Sequence, residues 1–301
     1  MKPSSFIILL SALLLLACRQ AATPSDNTGD PVADDAADTV STAFYNSQGT
    51  TPDAQGSKPN ASLEIPKVVR GNEGKILRRV GYTTSYNSQN RIPNWVAWHL
   101  TASHAGGRYN RSNEAFHEDM EVGSPRAYDS DYRSSGYDRG HMCPSGDNKW
   151  DKKAQEQSFL FTNICPQRHN LNTGAWNDVE LQCRAWAKRY GDLYIVCGPV
   201  LYDQQHRTIG RNRVVVPEAF FKVILRKENE QRPTYKAIGF IYENRSAKRD
   251  MNRYVHSIDE IEQLTGLDFF STLPDEVEDA IESRSNLRDW YPLMDLRSDS
   301  R

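Results

Sequence analysis

From Arg19 to about Ser62 the chain runs through Ala, Asp, Thr, Ser, Asn and Gly, punctuated by Pro24, Pro31, Pro52 and Pro59, with almost no aliphatic or aromatic side chains. Such a stretch buries too little apolar surface to offset the entropy of ordering it, so it cannot join a core. Whatever folds is confined to Leu63–Arg301, ample for one large domain. Asp26, Asp30, Asp34, Asp35 and Asp38 repel one another and keep the segment extended, as expected of a tether. The formal net charge of -2 gives no global basic field, so a polyanion would have to be met by a local cluster of cations.

Ahead of the tether, Lys2 precedes an apolar run, Phe6 to Ala17, too short to span a bilayer and of the length of a signal-peptide core. The run ends in Leu15 Leu16 Ala17 Cys18, which resembles the lipobox of bacterial lipoproteins. That resemblance implies cleavage before Cys18, acylation of its thiol and of the new amino terminus, and an exported protein held on a membrane. An ordinary secretory signal, with Cys18 incidental, would still export the chain. In an exported protein Cys143, Cys165, Cys183 and Cys197 form an even set with three possible pairings. Cys183 on an expected helix and Cys197 on the next strand are one candidate pair, and buried free thiols are the alternative. No two are spaced as in a structural zinc site.

Along the folded part, Lys75 to Tyr86 and Asn94 to Thr101 read as strands joined by the turn-forming Asn87 to Pro93. The polar segment His104 to Asp131 carries Arg108, Arg111 and Arg126 and one anchor, Phe116. Long irregular segments of this kind inside a domain tend to be functional. Phe159 to Thr162 reads as a short buried strand and Asn163 to Gly174 as a loop, followed by a helix from Ala175 to about Tyr190 that stops at Gly191. Strands then follow at Tyr194 to Cys197, Arg213 to Val216, Ala219 to Leu225 and Tyr235 to Tyr242, and a helix at His256 to Leu264 with Ile258, Ile261 and Leu264 on one face. This pattern predicts an α+β domain on a largely antiparallel sheet flanked by helices.

Two patterns carry chemistry. Asp138 Arg139 Gly140 His141 sets a carboxylate, a guanidinium, a glycine and an imidazole in succession. By itself this could be a polar turn. Downstream, Trp176, Glu180 and Arg184 recur at intervals of four on one helix face, with Asn172 one turn earlier. A solvated face with a weak Glu180–Arg184 pair is the bland alternative, and an indole in its middle argues against it.

Taken with Asn163 Ile164 Cys165 Pro166 Gln167 and Gly174, and with Leu264 to Phe270 near the end, these motifs resemble the DNA/RNA non-specific endonuclease family from about Trp95 onward. The resemblance implies a ββα-metal nuclease fold that hydrolyses phosphodiester bonds of DNA and RNA, leaving 5′-phosphate and 3′-hydroxyl ends. It implies His141 as general base and Asn172 as the direct protein ligand to one Mg²⁺, with Mn²⁺ as a substitute. It also implies Glu180 orienting the ion's water shell and Asn163 supporting the site from behind. Arg139 and a loop arginine, Arg111 or its competitor Arg108, would contact phosphate, with Arg184 beside them. Asp138 takes a structural part, fixing the turn or the histidine. An imidazole with a pKa near ~6.5 and a hard ion held by one amide oxygen are chemically apt for these tasks.

Two other classes stay open on sequence alone. One is a catalytically inactive nucleic-acid-binding lipoprotein on the same scaffold, and the other a hydrolase using Cys143 or Cys165 as nucleophile beside His141. His169, in the loop before Asn172, reads as a solvated histidine.

Overall fold

The computed structural model describes residues 62–291, apart from 72, 203–204 and 229–233. The expected signal segment, Cys18 and the tether to residue 61 lie outside the described residues.

A seven-stranded antiparallel sheet divides the fold into two layers. In spatial order it runs Val255–His256, Tyr235–Glu243, Ala219–Lys227, Leu193–Val200, Ile92–Leu100, Thr83–Asn87 and Lys75–Arg78. The central strands are buried on both faces, so they read as nearly unbroken apolar runs such as Ala219 Phe220 Phe221. On one face the helix Trp176–Tyr190 packs through Val179, Cys183, Trp186 and Ala187, a stripe at helical spacing. It ends where Gly191 takes φ 90° and donates to the Ala187 carbonyl. On the other face the helices Ile258–Thr265 and Asp275–Glu282 cover Trp95, Val196, Phe221 and Phe269.

Several local expectations change. Lys75 to Tyr86 is two strands joined by a tight turn, in which Arg79 N–H donates to the Tyr82 carbonyl at 2.7 Å. Of Phe159 to Thr162 only Leu160 pairs, in a single parallel bridge to His117, before the 3-10 turn Phe161–Asn163, and the strand proper begins at Ile164. Asp138–His141 is itself a strand and pairs with Ile164–Gln167. Arg213 to Val216 contributes only the two-residue strand Val214–Val215, paired with Thr208–Ile209. Leu264 is 37% exposed, so only Ile258 and Ile261 of the expected trio are buried. Cys143, Cys165, Cys183 and Cys197 are all buried and free, so Cys183 and Cys197 are not a disulfide.

Candidate active site

The site is built on the antiparallel pair Asp138–His141 and Ile164–Gln167, followed by the helix Trp176–Tyr190: two strands and a helix. Alternation along the first strand sends Arg139 and His141 to one side. Gly140 faces Gln167 so closely that a Cβ there would lie 2.4 Å from the Gln167 side-chain oxygen, which fixes both residue and register. Beyond His141 the chain is clamped by Asn163, itself fully buried. The Asn163 amide accepts from Cys143 N–H at 2.9 Å and donates to the carbonyls of Cys143 at 2.9 Å and Ser158 at 2.8 Å. From the helix side the Trp176 indole N–H donates to the His141 carbonyl at 3.3 Å. His141 is thus held through its backbone, while its ring rests against Phe116 and Phe159 at centroid distances of 5.3 and 5.0 Å.

Arg111, Arg139, His141, Asn172, Glu180 and Arg184 all line one cleft of about 430 Å³. Size does not single it out, since a recess beside Tyr202 and Tyr254 is roomier at about 580 Å³. What distinguishes the cleft is the convergence of an imidazole, an amide, a carboxylate and three guanidiniums. His141 Nε2 is buried without a hydrogen-bond partner. Burial, and then the charge of Arg111, hold its pKa down to about 3, so the ring is a neutral acceptor. Burial pushes Glu180 up to about 7, against the pull of Lys222 and Arg184.

The remaining expected residues take definite places. Asp138 does not touch His141: its Oδ2 accepts from the Asn172 amide at 2.9 Å and faces His169 Nδ1 at 2.9 Å. A carboxylate can only accept, so it turns the Asn172 nitrogen inward and presents the Asn172 oxygen to other partners. His169 is exposed, consistent with a solvated histidine. Arg139 pairs with Asp129 at 2.6 Å, its guanidinium 5.6 Å from the rings of Phe116 and Tyr132. Arg184 pairs with buried Asp147 at 2.7 Å, not with Glu180. Arg108 is exposed, donates to the Tyr109 hydroxyl at 3.0 Å and does not line the cleft, whereas Arg111 does. Asn163 lies behind the cleft wall.

Two residues escaped the sequence reading. Asp147 accepts from the Trp98 indole at 3.1 Å as well as from Arg184. Lys222 is fully buried in mid-strand, with its Nζ 4.5 Å from the Trp176 ring and 5.0 Å from that of Trp98. Burial opposes its charge, but Cys197, Cys183, Glu180 and Asp147 together raise its pKa. A single lysine inside Phe220 Phe221 Lys222 Val223 Ile224 was the available signal.

The family model for DNA/RNA non-specific endonucleases matches residues 60–276. The chain belongs to that family. Among its relatives, Nuclease C1 of Cunninghamella echinulata var. echinulata is 33% identical over 230 residues, covering 71% of this chain and 90% of that one. The human mitochondrial nuclease EXOG is 30% identical over 249 residues, 76% of this chain and 67% of that one. Across the EXOG nucleases of Homo sapiens, Danio rerio, Mus musculus and Xenopus laevis, the matched region spans 57–67% of their lengths. A chain of the crystal structure of the EndoG/EndoGI complex superposes with a TM-score of 0.63 at 29% identity, covering 69% of this chain and 91% of that one. The strand pair and following helix are therefore the ββα-metal unit of this endonuclease fold. Its metal-dependent chemistry suits the cleft, where the presented Asn172 oxygen and an under-compensated Glu180 form a hard oxygen donor set of the kind a divalent ion takes.

Proposed function

We propose that this protein is a divalent-metal-dependent endonuclease that hydrolyses phosphodiester bonds of DNA and RNA. One observation carries the reading: a buried, neutral His141 with an unpartnered Nε2 lines the same cleft as Asn172, Glu180 and Arg111. His141 Nε2 accepts a proton from the water that attacks phosphorus. Arg111 draws the phosphate in, and the arriving negative charge offsets the guanidinium that disfavours the imidazolium, so the base strengthens as substrate binds. Arg139, aligned by Asp129, adds a second phosphate contact. Arg184, tied to Asp147, shapes the cleft wall and adds positive field. Mg²⁺, or Mn²⁺ in its place, would be held by the Asn172 oxygen with Glu180 behind it, and when bound would offset charge building on the phosphate and the leaving oxygen. The products expected are 5′-phosphate and 3′-hydroxyl ends.

Chemistry at the cysteines fits poorly. Cys143 and Cys165 are both fully buried, and burial pushes their thiols well above the usual range. For location we propose export and a lipid anchor on Cys18, supported by the Leu15 to Cys18 sequence. Plasmid nicking with and without Mg²⁺ tests the activity. Wild type should relax supercoiled DNA only with the metal and be unaffected by a thiol-alkylating reagent. Metal-independent or alkylation-sensitive cleavage would sink the reading.

A further inference from the structure

On the sheet face opposite the cleft, two short helices gather acidic side chains that take no part in the nuclease site. Ile258–Thr265 supplies Asp259 and Glu262, and Asp275–Glu282 supplies Glu282. One ligand oxygen from each lies within 4.8 Å of the other two. Glu282 is only 5% exposed, and its Oε1 is buried without a hydrogen-bond partner. Glu262 commits Oε1 to the Phe269 N–H at 2.7 Å. Nearby, Glu278 also buries an unpartnered Oε1, and Asp268 adds a fifth carboxylate, which Lys67 meets at 3.5 Å. Burial, reinforced by the acidic neighbours, raises the Glu262 and Glu278 carboxyls to about 7 and that of Glu282 to about 9.

A buried, unpartnered carboxylate oxygen among other carboxylates is costly unless a proton or a cation sits among them, and a cation can serve all three at once. We propose that Asp259, Glu262 and Glu282 form a cation site for a hard divalent ion of the size of Ca²⁺, clamping the two helices together. Ca²⁺ takes irregular, flexible shells of roughly six to eight oxygens at about 2.3–2.6 Å, which three carboxylate oxygens within 4.8 Å of one another can begin, whereas Mg²⁺ demands a near-ideal octahedron and keeps most of its waters. Water would complete the coordination shell on the solvent side. Because Val277 and Ile281 pack against the same core as Ile258 and Ile261, the ion would secure this layer independently of the cleft.

The test uses the full chain stripped of metal, titrated with CaCl₂ and followed by calorimetry and thermal unfolding. Wild type should bind Ca²⁺ and gain about 5 °C or more in Tm at roughly a hundredfold excess over Kd. Glu282→Gln should lose both responses, keep Mg²⁺-supported plasmid nicking, and be at least as stable as wild type without metal. Asp259→Asn should lose them too, which covers the case of a Glu282→Gln chain that fails to fold. Asn172→Ala should keep the Ca²⁺ response, since the cleft is a separate site. No response in wild type, a response surviving both carboxylate variants, or one lost in Asn172→Ala would overturn the proposal. A wild type that binds Ca²⁺ but never nicks DNA would count against the endonuclease reading alone.

Discussion

At His141, burial and a neighbouring guanidinium act in the same direction, and both make the protonated ring costly. The imidazole is therefore ready to accept a proton at neutral pH, and His141→Ala should lower plasmid nicking about 10²–10⁴-fold while circular dichroism stays unchanged. Cleavage at the wild-type rate by the folded variant would remove the general-base role. The two loop arginines differ in position, one lining the cleft and one outside it. Arg111→Ala should weaken DNA binding and flatten its salt dependence by about one unit of log–log slope, and Arg108→Ala should leave the slope unchanged. Lys222 lowers the Glu180 carboxyl that burial raises. Lys222→Met should make Glu180 hold its proton to higher pH, so the rising limb of the activity profile moves alkaline, and an unmoved profile would confine Lys222 to packing. This lysine was visible in the sequence only as an oddity within an apolar run, because its partners come from the helix and from Trp98, far apart along the chain.

Among elements, the helix after the cleft was legible because periodicity and a glycine stop are local signals. The strand Asp138–His141 was not, because its partner Ile164–Gln167 is reached only across a long excursion, and its polar residues look like a turn without it. Similarly, Gly81 splits an apparent single strand because the backbone there presses on Asn148, leaving only 1.8 Å between a would-be Cβ and the Asn148 side-chain oxygen. Phe159 to Thr162 has the composition of a strand, yet it forms a corner in which Phe161 stacks on Tyr132 at 5.3 Å. Helix Asp275–Glu282 went unseen because its acidic residues outnumber its apolar ones. Gly140→Ala forces the Gln167 side chain or the strands apart, costing about 1–3 kcal/mol as for overpacked cores, measurable by urea unfolding. Activity should fall further than stability, since the same shift displaces His141.

For the whole molecule, proton linkage gives a test that spans both layers. Glu180, Glu262 and Glu278 titrate near 7 and Glu282 near 9 in the fold, against ~4.3 for a free glutamate. The folded chain thus holds protons that the unfolded chain has released, so the stability these groups contribute is present below about pH 4 and lost as pH rises through 7 to 9. His141 works oppositely: its contribution is present above ~6.5 and lost as pH falls towards about 3. Metal-free protein should therefore show a Tm that falls from about pH 5 to about pH 9, mostly before neutrality with Glu282 extending the fall to the alkaline side, a trend that divalent metal suppresses. A flat metal-free profile would contradict the burial that raises these carboxyls.

The strand Ala219–Lys227 separates the two layers and serves both. Phe220, Lys222 and Ile224 point towards the cleft side, and Ala219, Phe221, Val223 and Leu225 towards the acidic helices. For anyone redesigning the enzyme, the parity of the residue number along this strand sorts substitutions in advance. Odd positions pack against the layer of the acidic helices and even positions against the layer that carries the cleft, so the two sets can be varied in separate libraries and recombined.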